Sequence, residues 1–196
     1  MNNVLVIGSG FLGTNIVNEY RNNGIRVIGT NFNNESDNGV HVDITNTNSI
    51  VNCVEKYSPD IIINCAANVN VDALEKDERL AFSVNAYGAE NIARVCKNYK
   101  IRLLHISSDA VFDGNKGNYK ETDRKNPLHS YGKIKNEVEE YILRKKKKYL
   151  IIRISRVFGV NKNDKTLLTN YKQKMQTKRR ITCSYDQIFS PIFIDD

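Results

Sequence analysis

Short apolar runs alternate with longer stretches of helical spacing along most of the sequence. VLVIG (4–8) is a compact run of Val, Leu and Ile that predicts a buried strand. Phe11, Leu12, Ile16, Val17 and Tyr20 then fall on one helical face, predicting a helix over 11–23 with Gly24 just past its end. IRVIGT (25–30), DIIINCAA (60–67), IRLLHIS (101–107) and YLIIRIS (149–155) predict four more strands. Helices are predicted over Thr47–Tyr57, with Pro59 just beyond, over Glu78–Tyr99 and over Pro127–Lys147. The strands are nearly unbroken in Ile, Val and Leu, as expected when helices cover both faces of a sheet. Alternation at this spacing implies parallel pairing, so the expected fold is α/β, an open, doubly wound parallel sheet. Past Gly159 the pattern weakens to one helix over Leu167–Thr177 and the aperiodic ITCSYDQIFSPIFIDD. The expected organisation is therefore one domain over 1–160 and the start of a second lobe over 161–196. Asp195 and Asp196 look like helix N-caps with no helix after them. That lobe, and the C-terminus with it, is expected to be incomplete.

The turn after the first strand reads GSGFLG, placing Gly8, Gly10 and Gly13 in a G-x-G-x-x-G pattern. Alone the pattern is weak; directly after a strand and at the start of a helix it is a dinucleotide fingerprint of the Rossmann type. The first glycine allows the tight turn, the second the approach of a pyrophosphate, and the third close packing of helix on strand. The amides of Phe11 and Leu12 are expected to face the phosphates from the helix N-terminus. An acidic residue usually ends the second strand, where it binds the ribose 2′-hydroxyl. Here Thr30-Asn31-Phe32-Asn33 holds no acid before Glu35 and no arginine. The expected cofactor is NADP(H) or NAD(H), with a slight preference for NADP(H). Asp43 has two readings, a contact to the adenine amino group or a cap on the helix that starts near Thr47.

Tyr131 and Lys135, in HSYGKIKNE (129–137), lie one helical turn apart and share a face. That spacing is common, but here it follows the fourth strand of a chain with a nucleotide loop. ISSDAVFDG (106–114) also puts two serines at the end of that strand, where open parallel sheets place their ligands. A carbonyl receiving hydride needs a proton, and tyrosine, with a pKa of about 10, is a weak acid unless a nearby ammonium favours its phenolate. Lys135 is expected to do this and to hold the ribose hydroxyls. Ser108 is expected to hydrogen-bond the carbonyl oxygen, its plainer role being a loop cap.

The totals change this picture little. The 196 residues are 40% hydrophobic and 26% charged, within the globular range. No apolar run approaches the ~20 residues of a membrane span, and MNNVLVIGSG lacks the basic start of a signal peptide. Cys53, Cys65, Cys96 and Cys183 show no CxxC and no flanking histidines. They read as reduced thiols of a cytoplasmic protein. His41, His105 and His129 are isolated, so no metal site is expected. The net charge of +7 is concentrated in RKKKK (144–148) and KQKMQTKRR (172–180). The first run suits a helix C-terminus, and neither is interleaved with aromatics that could stack bases. Nucleic acid is not the expected partner, whereas a basic surface suits a phosphorylated small molecule.

The chain resembles an extended short-chain dehydrogenase/reductase, and within that superfamily the dTDP-4-dehydrorhamnose reductase family. The resemblance rests on PDIIINCAANVNVDALEKDERLAFSVNAYGAENIA (59–93), LLHISSDAVFDG (103–114), NYKET around Tyr119 to Glu121, NPLHSYGKIKNEVE (126–139) and DQIFSP (186–191). It implies NAD(P)H-dependent reduction of a nucleotide-linked 4-keto sugar in polysaccharide synthesis, and often a homodimer. It also implies that Tyr131 donates the proton, with Lys135 as its partner and Ser108 at the family's Thr/Ser position. Ala66 and Ala67 match the strand end at the nicotinamide cofactor, Asp43 and Ile44 the adenine contact, and Asn85 a support of the site backbone. Ser108, Asp109 and Arg156 are the residues expected against the sugar. The sequence departs from the pattern in a shorter GSG turn, in Ala110 for a tyrosine, in Arg156 for a tryptophan and in Phe189 for a glycine. Two other readings stay open: a sugar-nucleotide epimerase or dehydratase, which would retain bound NAD, and a non-catalytic NADP binder resembling the regulatory β subunit of methionine adenosyltransferase.

Overall fold

The computed structural model describes residues 3–32, 40–69, 82–145, 148–161, 164, 166–177, 179–183 and 188–196. It separates into two units, Met1–Arg153 and Ile154–Asp196.

The first unit is built on strands β1 (Val4–Ile7), β2 (Val27–Asn31), β3 (Val40–His41), β4 (Ile61–Asn64), β5 (Arg102–Ser108) and β6 (Tyr149–Ile154), the last running into the second unit. Their order across the sheet is β3-β2-β1-β4-β5-β6. β1 lies between β2 and β4 and pairs in parallel with both. The register aligns Ile7 with Thr30 and with Asn64, and Asn64 with His105. The strands therefore finish on one common edge, where the order reverses about β1 and where such sheets bind ligands. This is the doubly wound Rossmann-type sheet that the apolar runs predict.

Strand alternation divides the core between two faces. Leu5, Ile7, Ile62 and Leu103 pack with buried residues of α2 (Thr47–Tyr57), α3 (Ala89–Tyr99) and α4 (Ser130–Arg144). Val4, Val6 and Ile63 pack with Val17 of α1 (Phe11–Asn22). Burial of this kind contributes on the order of 2 kcal/mol for each large aliphatic side chain. Gly24 lies just past α1 with φ +69°, the left-handed residue its position predicts.

Two elements differ from the expectation. The start of the long helix at Glu78 lies outside the described residues, and its described part opens with a wider π-type segment, Phe82–Gly88, ahead of α3. α4 starts at Ser130, not at Pro127, because His129 takes the N-cap and its Nδ1 accepts from Gly132 N at 3.2 Å. The units divide at 153/154. The reason is local: β7 (Val157–Phe158) pairs with β8 (Ile192–Phe193), tying residues 157–158 to the C-terminal segment.

In the second unit, Phe158 and Phe193 pack at 5.5 Å between ring centroids. α5 (Leu167–Gln176) starts with a capping box, in which Thr166 N donates to Thr169 Oγ1 at 2.9 Å.

Candidate active site

Two of the three fingerprint glycines are required by contacts within the protein. Gly8 has φ +103°, and a Cβ there would stand 2.6 Å from Ala66 N, so only glycine lets the β1 turn meet the end of β4. A Cβ on Gly13 would stand 1.9 Å from Gly8 O, which shuts α1 tightly onto the turn. Gly10 differs: its φ is −66° and nothing lies within 4 Å of its added Cβ. Gly10 is also the N-cap of α1, and no side chain caps the amides that follow, those of Phe11 and Leu12 among them. Open space beside uncapped N-terminal amides is the environment a pyrophosphate needs. The turn fits a dinucleotide.

The end of β4 is held from two sides. Asn64 Oδ1 accepts from Ala66 N at 3.1 Å, and its Nδ2 lies 3.2 Å from His105 Nδ1. Burial holds the His105 pKa well below the ordinary histidine value, so this ring is neutral. Asn85 accepts from Asn68 N at 2.7 Å and donates to Asn68 O at 2.8 Å. Ala66 and Ala67 lie between these two clamps.

Beside β2 and β3, Asp43 closes a turn by accepting from Thr45 N at 2.9 Å and from Thr45 Oγ1 at 2.7 Å. The cap of α2 is Asn46, which accepts from Asn48 N, so the capping reading of Asp43 is not what the structure has. Asn91 Nδ2 donates to Ile44 O at 3.0 Å and anchors the turn to α3. At the end of β2, Thr30 Oγ1 and Asn31 Oδ1 are buried and hydrogen-bond to no described protein atom. Buried polar atoms of this kind ordinarily have a partner, and a ribose or its phosphate would supply one.

Tyr131, Lys135 and Ser108 come together where β5 ends. α4 enters closely: a Cβ on Gly132 would stand 2.2 Å from Ala110 O, so the YGK glycine lets the helix pack on the turn after Ser108. Ser108 Oγ accepts from Ala110 N at 3.2 Å and donates to Asp109 Oδ1 at 3.1 Å. It caps the turn, and its hydroxyl is near enough to Tyr131 to lower the phenol's pKa. Lys135 is 4% exposed, donates to Ile106 O at 2.9 Å, and stands 5.7 Å from the Tyr131 ring centroid.

The resting electrostatics differ from the expectation of an acidified tyrosine. Burial, reinforced by Asp109 and opposed by the Ser108 hydroxyl, pushes Tyr131 up to about 12. Burial pushes Lys135 down to about 8, with Cys65 and Glu139 opposing. Low-dielectric surroundings disfavour both charged forms, and the Lys135 amine is engaged by a backbone carbonyl. Tyr131 therefore keeps its proton at neutral pH.

Asp109 is exposed beside Ser108. Arg156 belongs to the second unit, where its guanidinium lies over the Phe189 ring at 5.0 Å and its carbonyl accepts from Ile192 N.

A buried polar cluster escaped the sequence reading. Glu139, fully buried, accepts from Ser107 Oγ at 2.6 Å, from Arg153 Nε at 2.9 Å and Nη2 at 2.7 Å, and from Lys125 Nζ at 3.3 Å. Burial pushes its carboxyl up, but the Arg153 and Ser107 hydrogen bonds and the two cations outweigh that and hold it below the usual range. Two signals were present in the sequence: Glu139 continues the four-residue spacing of Tyr131 and Lys135, and Arg153 is a charge inside an apolar strand.

Comparison with known proteins matches residues 1–196 to the family model of the RmlD substrate binding domain. A dTDP-4-dehydrorhamnose reductase of Aggregatibacter actinomycetemcomitans is 40% identical over 136 residues, 68% of this chain and 46% of that protein. Methionine adenosyltransferase 2 subunit beta of Bos taurus is 30% identical over 175 residues, 88% of this chain and 52% of that one. The crystal structure of a dTDP-4-dehydrorhamnose reductase from Bacillus anthracis in complex with NADP superposes with a TM-score of 0.88 at 29% identity. It covers 99% of this chain and 66% of that one. The chain spans about half the length of the curated relatives it matches.

Proposed function

The chain belongs to the RmlD substrate-binding domain family, and from that premise we propose that it provides the cofactor-binding and proton-donating part of a reductase. The reductase uses NADPH or NADH, with a slight preference for NADPH, to reduce the 4-keto group of a nucleotide-linked sugar in the cytoplasm. The observation that carries this reading is the convergence of Tyr131, Ser108 and Lys135 at the end of β5, next to the strand end that packs on the glycine turn.

Gly8, Gly10 and Gly13 with the amides of Phe11 and Leu12 would hold the pyrophosphate. Asp43 and Ile44 would flank the adenine, and Ala66 and Ala67 the nicotinamide side. When bound there, the reduced nicotinamide would supply the hydride for the carbonyl carbon. Tyr131, protonated at neutral pH, donates its proton to the carbonyl oxygen. Lys135 places a positive charge beside the phenolate that remains. Ser108 hydrogen-bonds the same oxygen and fixes its direction. Asp109 is the sugar-side residue that the first unit supplies in this reading.

The 30% identity to methionine adenosyltransferase 2 subunit beta favours a second reading, a nucleotide-binding regulatory subunit. One experiment separates the two. NADPH and NADH binding is measured by fluorescence titration, and their oxidation is followed with dTDP-4-keto-6-deoxy sugar. Binding with turnover supports the reductase; binding without turnover on any 4-keto sugar nucleotide supports the regulatory subunit.

A further inference from the structure

Residues 131, 135 and 139 lie at successive turns on one face of α4, and each engages one of three consecutive residues at the end of β5. The Ser108 hydroxyl acts on the Tyr131 phenol, Lys135 donates to Ile106 O at 2.9 Å, and Glu139 accepts from Ser107 Oγ at 2.6 Å. Glu139 also gathers the surrounding segments. Arg153 of β6 grips it through two nitrogens, Lys125 reaches it from the loop before α4, and Arg153 Nη1 donates onward to Glu121 O at 3.2 Å. A fully buried carboxylate is costly unless it is paired and hydrogen-bonded, and this one is both. A neutral side chain would fill the same space more cheaply, so a requirement for the charge itself is the simplest account of a carboxylate there.

We propose that Glu139 is a positioning residue for the proton-donating pair: it locks α4 in register with the end of β5 and places a fixed negative charge one helical turn from the buried ammonium of Lys135. The proposal deepens the reductase reading and rests on it for its functional meaning. The groups facing Lys135 are Tyr131 and Glu139 on its own helix, Cys65 after β4 and His105 on β5. Those facing Glu139 are Ser107, Arg153 and Lys125, with Glu140 sharing Lys125. The thiol and the imidazole are neutral at neutral pH, because burial raises the Cys65 pKa to about 12 and depresses that of His105. Of the two groups that favour the Lys135 ammonium, Cys65 and Glu139, only Glu139 is ionised at neutral pH. Burial holds Lys135 near 8, so its charge at neutral pH depends on this neighbour.

The test reads Lys135 directly in the free protein and needs no turnover. Lysine labelled with 13C at Cε is titrated by NMR, and the Lys135 resonance is the one missing from Lys135→Arg. In the wild type it titrates near 8, apart from the surface lysines. In Glu139→Gln its midpoint is expected to fall by about one pH unit, since a lost opposite charge disfavours the ammonium. In Glu139→Asp the charge remains, and a midpoint near the wild-type value is expected. If Glu139→Gln fails to fold because Arg153 is left unpaired, Glu139→Gln with Arg153→Gln removes both charges; loss of the Arg153 cation partly offsets loss of the nearer Glu139 anion, and a smaller downward movement is expected. A midpoint unmoved in a folded Gln variant overturns the proposal and leaves Glu139 a structural clasp only. Failure of the reductase reading is a separate result: the titration behaves as described while no 4-keto sugar nucleotide is reduced.

Discussion

The two ends of this site are made by opposite means. At the glycine turn, specificity comes from missing atoms: Gly8 meets Ala66, Gly13 meets the Gly8 carbonyl, and Gly10 faces open space. At the end of β5, it comes from buried ionisable atoms: Tyr131, Lys135 and Glu139, each held by a named partner. The first end should tolerate wide changes of pH and no added carbon. The second should tolerate modest changes of shape and little change of charge. A cofactor's phosphates are recognised by amides that never titrate, whereas a proton donor has to titrate, so each means suits its chemistry.

The sharpest break is Tyr131→Phe. It removes the proton donor and leaves the glycine turn intact. The turnover rate is expected to fall about 10³-fold, with NADPH affinity within about twofold of wild type, both read from steady-state kinetics and fluorescence titration. Gly13→Ala acts on the other end. Its Cβ has no room against Gly8 O, and a loss of about 3 kcal/mol is expected in urea unfolding. Gly10→Ala sharpens the same end, because its methyl meets nothing in the protein. Stability should stay within about 0.5 kcal/mol, while NADPH affinity drops about tenfold, equivalent to about 1.4 kcal/mol. The smallest effect is a pH dependence belonging to the charged end. Lys135 has its pKa depressed on folding, from 10.5 to about 8, so above pH 8 the unfolded chain binds the extra proton and stability rises with pH. Between pH 8 and 9 the wild type should gain up to about 1 kcal/mol relative to Lys135→Met. Activity that needs the ammonium should decline over the same interval. Thermal and urea unfolding in paired buffers check the sign.

What the sequence disclosed follows the same division. Strands β1, β4 and β5 were legible because both-face burial writes itself as unbroken Ile, Val and Leu; the edge strand β6 carries the same apolar run although Leu150 and Ile152 are exposed. The glycine turn was legible because the motif's spacing is backbone geometry. The two-residue strands β3, β7 and β8 were not, since no periodicity exists over two positions. Pro127 resembles a first helical residue in the sequence, but in the structure Pro127 packs beneath Gly132 and His129 caps the helix, so α4 starts at Ser130. Asp43 and Asn46 compete for the same cap, and only the backbone direction decides between them. Glu139 and Arg153 are far apart in sequence. Their pairing became visible only once the sheet had set β6 beside β5.

The measurement closest to the central claim is a single turnover with NADPH deuterated at the transferable position and dTDP-4-keto-6-deoxy sugar, on wild type and Tyr131→Phe. The account predicts deuterium at C4 of the reduced sugar with wild type and about 10³-fold slower label transfer with the variant. Equal transfer by both proteins, or none by either while NADPH is bound, would contradict it.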